Sequence, residues 1–254
     1  MITGVLLDLG GVVFVGDEPI PGAIDALNEL RASGIAVRFL TNTTRQPLRE
    51  MLEKLHKFGV KAAPEELFMP ASAARHFLRQ HNLTPLLLVH PRLVEDFDPV
   101  PAGKINAVVV GDAAENFTYA TLNRAYRALS QGAELLALAR NRGFRDEDGE
   151  LSLDAGPFVA ALEYATGHEA IVLGKPSATF FREAIASIGR PQDQIVMIGD
   201  DVEADVAAAM EIGLSGILVQ SGKYVAGDER KIEPPPTAVV SDLSEAVSWV
   251  LARY

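Results

Sequence analysis

The most constraining feature of this chain is how its apolar residues are grouped. Short, β-branched bursts at residues 5–7, 35–40, 86–89, 107–110, 134–138, 171–173, 195–198, 216–219 and 238–240 alternate with longer stretches of helical spacing at 22–32, 46–58, 72–80, 119–130, 156–165, 178–188, 202–212 and 243–252. Apolar runs this short suit strands buried on both faces, and a helix between successive strands is the crossover that a parallel sheet requires. The predicted class is therefore α/β. Ser33-Gly34 and Gly189 stand where helices should stop. A single sheet of nine strands is large for 254 residues, and the simpler organisation is a second strand-helix set inserted in the middle third, roughly residues 70–170. RGFRDEDGE at 142–150 and EPPP at 233–236 read as surface loops.

Composition narrows the partners. With 48% hydrophobic and 22% charged residues the chain can bury a core. Its net charge of −11 repels duplex phosphate, so nucleic acid is not an expected partner. There is no cysteine, which removes disulfides, thiolate metal sites and a cysteine nucleophile from consideration and suits a reducing, cytoplasmic setting. MITGVLLDLGG carries no basic leader, and no apolar run reaches the roughly 18 residues of a membrane span. No membrane partner is expected, and a homodimer stays open.

Four short motifs carry the chemistry. Asp8 ends the strand VLL ahead of a Gly-Gly pair, where α/β sheets place ligands. Thr41-Asn42 follows the strand ending in Leu40, with a hydroxyl and an amide at the same edge. Lys175 sits in a Gly-Lys-Pro turn after a third strand, and Asp200 ends a fourth, with Asp201 beside it and Asp205 about one helical turn on. Taken singly, each has an ordinary reading: a turn, a helix cap, a surface lysine. Carboxylates spaced as closely as Asp200, Asp201 and Asp205 repel one another unless a cation is near.

In this order at strand ends, Asp, Thr-Asn, Lys, Asp-x4-Asp resembles the four motifs of the haloacid dehalogenase superfamily of phosphotransferases. IPGA at 20–23, GKPSATFF at 174–181 and MIGDDVEADV at 197–206 are similar to the para-nitrophenylphosphatase branch, and ALEYAT at 161–166, GILVQSGKY at 216–224 and KIEPPP narrow the likeness within it. The resemblance implies a Rossmann-like core from residues 1–70 and 171–254, with a smaller α/β cap domain, 71–170, inserted between the second and third motifs. It implies that Asp8 is the nucleophile and forms an aspartyl phosphate, and that magnesium is held by Asp8, the Gly10 carbonyl and Asp200. Thr41 and Asn42 would bind the phosphoryl group, Lys175 would pair with its oxygen and with Asp8, and Asp201 and Asp205 would act as supports. The implied substrate is a small phosphorylated compound.

The chain departs from the superfamily pattern at Gly10, where the family usually has a second aspartate that protonates the leaving group. The backbone carbonyl survives while the side-chain acid is lost. General acid help is worth about 10² to 10⁴ in rate, so the implied bias is toward leaving groups that need no proton: aryl phosphates, P–N bonds and pyrophosphate. Asp17 or Glu18 could substitute, although a solvated turn is the simpler reading. A catalytically weak protein that binds a phospho-ligand or a protein partner is the rival. Arg140, Asn141, Arg142, Phe144 and Arg145 form a cap loop expected either to reach substrate or to be solvated. The five histidines show no metal spacing.

Overall fold

The segment GVLLD at Gly4–Asp8 is buried at every position, which a strand permits only when both faces of its sheet are covered. In the computed structural model, which describes residues 1–145 and 150–254, this strand lies inside a six-stranded sheet. The order across it is Ala238–Val240, Ser215–Val219, Ile195–Gly199, Gly4–Asp8, Ala36–Leu40 and Leu67–Phe68, with every neighbouring pair parallel. Leu7 pairs with Ile198 on one side and Phe39 on the other, so Asp8, Asp200 and Thr41 leave the sheet at one edge. From Gly4–Asp8 the chain fills one side of the sheet and later returns to fill the other. That makes the carboxyl ends of Gly4–Asp8 and Ile195–Gly199 the point where strand order reverses, the place where open α/β sheets form a crevice. Helix Ala178–Ile188 packs on Gly4–Asp8 and Ala36–Leu40, while Leu243–Leu251 packs on Ala23–Ala32, Ser215–Val219 and Ala238–Val240.

The chain divides into two compact units. The six-stranded sheet belongs to the first, made of Met1–Thr41, Met51–Phe68 and Lys175–Tyr254; the second comprises Asn42–Glu50 and Met69–Gly174. The second unit is built on a four-stranded parallel sheet in the order Ile171–Val172, Glu134–Ala137, Ala107–Val110 and Pro85–Leu88. Its AVVV strand shows the period of two directly. Ala107 and Val109 pack with Ala74, Leu78, Leu93 and Phe97, whereas Val108 and Val110 pack with Ala125, Leu129, Val159 and Leu162. Helix Pro70–Gln80 and the 3₁₀ segment Pro91–Phe97 thus cover one face, and helices Tyr119–Leu129 and Ala155–Thr166 cover the other.

Each of the nine apolar bursts is a strand, with ends shifted by about a residue. The sequence pattern did not anticipate Leu67–Phe68 at the sheet edge, nor two antiparallel ribbons, Phe14–Val15 with Glu18–Pro19 and Gly143–Arg145 with Leu151–Leu153. Segments of two or three residues carry no readable period. The last ribbon begins inside the stretch 142–150 expected to be loop; residues 146–149 of that stretch lie outside the described residues. The stretch 202–212, expected as an ordinary helix, opens as a π-helix over Val202–Ala207 before Ala208–Glu211, with the Val206 amide donating to the Asp201 carbonyl at 3.3 Å. Among the described residues, no helix is long and apolar enough to cross a membrane.

Candidate active site

Strand termination brings the first pair of acids together. Asp8 is the last residue of Gly4–Asp8 and Asp200 follows the last residue of Ile195–Gly199, so adjacent parallel strands deliver both carboxylates to one edge. Asp205 comes up from the π-helical turn that follows. Carboxylate oxygens of Asp8, Asp200 and Asp205 lie within 4.8 Å of one another, and all three residues are buried. Lys175 reaches the same spot: its Nζ donates to Asp8 Oδ1 at 2.5 Å and stands 2.6 Å from Asp205 Oδ1. At 4% exposure this is not a surface lysine.

Three buried carboxylates face one ammonium, and their burial makes all three weaker acids. Burial raises Asp8 above the usual carboxylate range against the pull of Lys175, with Asp200 adding to the rise. Asp200 is pushed up to about 6 and Asp205 to about 7, in both cases chiefly by burial. Burial by itself would lower Lys175, but the Asp205 and Asp8 carboxylates outweigh it and hold the ammonium charged. An oxygen-only donor set with surplus negative charge fits a hard divalent cation such as magnesium.

The backbone around Asp200 is packed so closely that side chains are excluded. A Cβ on Gly11 would lie 1.9 Å from Asp200 Oδ2, one on Gly222 would lie 2.0 Å from the same oxygen, and one on Gly199 would lie 2.4 Å from Asp205 Oδ2. Gly11 and Gly222 also have φ of +83° and +58°, which L side chains rarely adopt. The Lys223 amide donates to Asp200 Oδ2 at 2.7 Å, and Ser221 Oγ donates to the Gly11 carbonyl at 2.6 Å. The sequence reading missed this Gly11, Gly222, Ser221 and Lys223 wall. Its available signal was the glycine within QSGKY, whose demand for close approach becomes visible only when the two loops meet. Gly10 is different: it is exposed, its φ is ordinary, and a Cβ there would meet nothing within 4 Å.

The remaining candidates take distinct places. Asp201 caps the turn after it, its Oδ1 accepting from the amides of Glu203 at 3.2 Å and Ala204 at 2.9 Å. Its own amide donates to Asp205 Oδ2 at 3.3 Å. Thr41 is buried at the end of Ala36–Leu40, its amide donating to the Phe68 carbonyl at 3.1 Å. Asn42 groups with the second unit, its Oδ1 packed over Gly174. In that unit Arg140 is ion-paired with Glu163 at 2.6 Å, Arg142 is exposed, and Phe144 lies under the Arg45 guanidinium, 4.2 Å from the ring centre. Arg45 in turn meets the buried Asp112 at 2.5 Å. Asp17 is exposed and paired with Lys54 at 2.9 Å, which holds its carboxyl below the usual range and makes it a poor proton donor. Glu18 is exposed in the adjacent ribbon.

Comparison with known proteins shows the family. A family model described as haloacid dehalogenase-like hydrolase matches residues 5–100, and a second, HAD-hydrolase-like, matches residues 172–246. Haloacid dehalogenase-like hydrolase domain-containing protein 2 of Rattus norvegicus is 45% identical over 251 residues, covering 99% of this chain and 96% of that protein. Phospholysine phosphohistidine inorganic pyrophosphate phosphatase of Xenopus laevis is 39% identical over 253 residues, covering 99% and 93%. Among solved structures, p-nitrophenyl phosphatase from Archaeoglobus fulgidus superposes with a TM-score of 0.90 at 25% identity, over 98% of this chain and 99% of that one. Glycerol phosphate phosphatase from Mycobacterium tuberculosis in complex with magnesium gives 0.84 at 28% identity, over 97% and 76%. The chain belongs to the haloacid dehalogenase-like hydrolase family. Within it, this is an enzyme of the phosphatase class, a phosphoric monoester hydrolase.

Proposed function

We propose that the protein is a magnesium-dependent phosphatase that releases inorganic phosphate from small phosphorylated compounds through a phosphorylated Asp8. The observation that carries this reading is the buried Asp8, Lys175, Asp205 chain beside Asp200 at the strand-order reversal. A phosphate ester resists attack because its oxygens are already negative, so positioning and charge neutralisation supply most of the catalysis. Asp8, the Gly10 carbonyl and Asp200 would hold magnesium, which when bound supplies positive charge against the phosphoryl oxygens.

The chain's own residues do the rest. One carboxylate oxygen of Asp8 forms a bond to phosphorus while the bond from phosphorus to the leaving group breaks, the electron pair departing with that group. Water then attacks the same phosphorus, returning the Asp8 carboxylate and inorganic phosphate. Lys175 neutralises a phosphoryl oxygen, and Asp205 keeps its ammonium aimed as Asp8 gives up its own charge. Thr41 and Asn42 donate to the remaining oxygens. Residues 71–170 act as a cap that selects the leaving group. Glycine at position 10 carries no acid and Asp17 is tied to Lys54, so neither of these positions is set to protonate that group. The favoured substrates are therefore aryl phosphates, P–N compounds and pyrophosphate. Two relatives are named for phospholysine, phosphohistidine and pyrophosphate, and for p-nitrophenyl phosphate, which supports the bias.

The test is a screen with magnesium against aryl phosphates, acyl phosphates, phosphoramidates, pyrophosphate and sugar phosphates, with rapid acid quench and mass spectrometry of the Asp8 peptide. Phosphate release with transient phosphorylation of Asp8 is expected. Turnover with phosphate never found on that peptide would sink the mechanism.

A further inference from the structure

We infer that Lys54 is a positioning residue that clamps the loop carrying Gly10 and Gly11 against the site. The inference rests on the proposed function above for its consequence, and on the following contacts for its geometry. Lys54 lies in helix Leu48–Lys57, and its side chain is only 12% exposed. Its ammonium donates to the Gly16 carbonyl at 2.5 Å and to Asp17 Oδ1 at 2.9 Å, and it stands 4.4 Å from the centre of the Phe14 ring. All three contacts fall on one small ribbon, Phe14–Val15 with Glu18–Pro19.

That ribbon is tied to the site through backbone. The Phe14 carbonyl accepts from the Gly11 amide at 2.8 Å, and Phe14 bridges Gly10 directly. Gly11 is wedged under Asp200 beside Gly222. A ribbon this short has almost no stability of its own, so its position depends on what holds its turn from outside. The Phe14 ring rests on Phe58, with centroids 5.8 Å apart, but an aromatic contact does not satisfy the Gly16 carbonyl. The ammonium serves that carbonyl, the Asp17 carboxylate and the ring face together. The base of the ribbon is also held, the Val13 and Phe14 amides donating to the Leu9 carbonyl at 2.9 and 3.3 Å, but its turn at Gly16 and Asp17 is held from outside by the ammonium. Without it the turn loosens, and the loosening reaches the Gly10 carbonyl and the Gly11 wedge. Changes to groups that orient metal ligands typically alter metal affinity or activity by about 10- to 100-fold.

The test compares the wild type with Lys54→Met, which keeps length and helix propensity but loses the charge, with Lys54→Arg, which keeps the charge, and with Asp17→Asn. Three quantities are measured: amide hydrogen exchange over residues 10–17 without metal, the magnesium dissociation constant by calorimetry, and p-nitrophenyl phosphate turnover against magnesium concentration. Lys54→Met should speed exchange at Gly11 and weaken magnesium binding about 10-fold or more, with a smaller loss of turnover at saturating magnesium. Lys54→Arg should restore most of both. Asp17→Asn should stay near wild type, since Asp17 is 86% exposed and its removal leaves the Gly16 and Phe14 contacts in place. Wild-type exchange and magnesium binding in Lys54→Met would overturn the clamp, as would equal impairment in Lys54→Met and Lys54→Arg. Thermal melting checks folding, and should Lys54→Met fail to fold, Lys54→Gln carries the same comparison. A wild type that neither binds magnesium nor turns over would sink the proposed function instead, leaving the exchange data to judge the clamp alone.

Discussion

Burial holds the Asp8 carboxyl above the usual carboxylate range, and the Lys175 ammonium at 2.5 Å is what favours its charged form. Asp8→Asn keeps size and shape while removing that charge, so the variant should fold and its turnover should fall below about 1% of wild type. Steady-state assay with circular dichroism checks this, and activity well above that level, with contamination excluded, would refute Asp8 as nucleophile. The sharper residue-scale question is Gly10, because the sequence leaves open whether its glycine serves a strained backbone. The structure answers it: φ is ordinary and the space beside Cα is empty. A Cβ at position 10 is therefore accommodated, so Gly10→Asp is expected to fold. In the wild type, the logarithm of turnover should fall steeply as leaving-group pKa rises. Gly10→Asp should flatten that slope, with gains of up to about 10² to 10⁴ on alkyl phosphates. A wild-type series independent of leaving-group pKa, measured where chemistry limits the rate, would show that another acid already serves.

At the scale of elements, two loops from distant parts of the chain interlock around one oxygen. Gly11 and Gly222 approach so closely that a Cβ on Gly222 would sit 2.4 Å from Gly11 Cα and 2.0 Å from Asp200 Oδ2. Backbone cannot retreat as a flexible side chain can, and Gly222 has φ of +58°. Gly222→Ala should therefore destabilise the fold by about 1–3 kcal/mol and displace Asp200, lowering turnover and raising the magnesium requirement. Urea unfolding and magnesium titration measure the two effects; a variant matching wild type in both would mean that the loop relaxes at no cost. The π-helical opening at Val202–Ala207 belongs to the same arrangement: Asp201 caps it through the Glu203 and Ala204 amides, and Asp205 projects from it onto Lys175.

At the scale of the molecule, the site concentrates negative charge in the first unit, where Asp200 and Asp205 are pushed up to about 6 and 7 by burial. A bound cation offsets the cost of keeping those buried carboxylates charged, so magnesium should stabilise the folded protein by about 2.7 kcal/mol at one hundred times its dissociation constant. EDTA should abolish turnover and lower the melting temperature, magnesium should restore both, and calcium should restore stability without full activity because its coordination is looser and longer. Full turnover in chelator would contradict the metal role proposed for Asp8, Gly10 and Asp200.

The amino-acid sequence alone determined the α/β class, the nine principal strands and the positions of Asp8, Thr41, Lys175 and Asp200 at or just past strand ends, because burial on two faces writes itself as short apolar runs and the polar residues that follow mark where each strand stops. It did not determine what short or distant pieces do. The edge strand Leu67–Phe68 and the two ribbons are too brief to carry a period, and exist because neighbouring strands offer them hydrogen bonds. Asp205, expected as a support, lies 2.6 Å from Lys175 only because a π-turn rotates it there. Asp17, open as a proton donor in sequence, is claimed by a lysine 37 residues away. The steric need for glycine at 11 and 222 arises where loops 211 positions apart share one carboxylate. Such contacts have no local signature, since their free energy depends on distances between segments that only the folded chain sets.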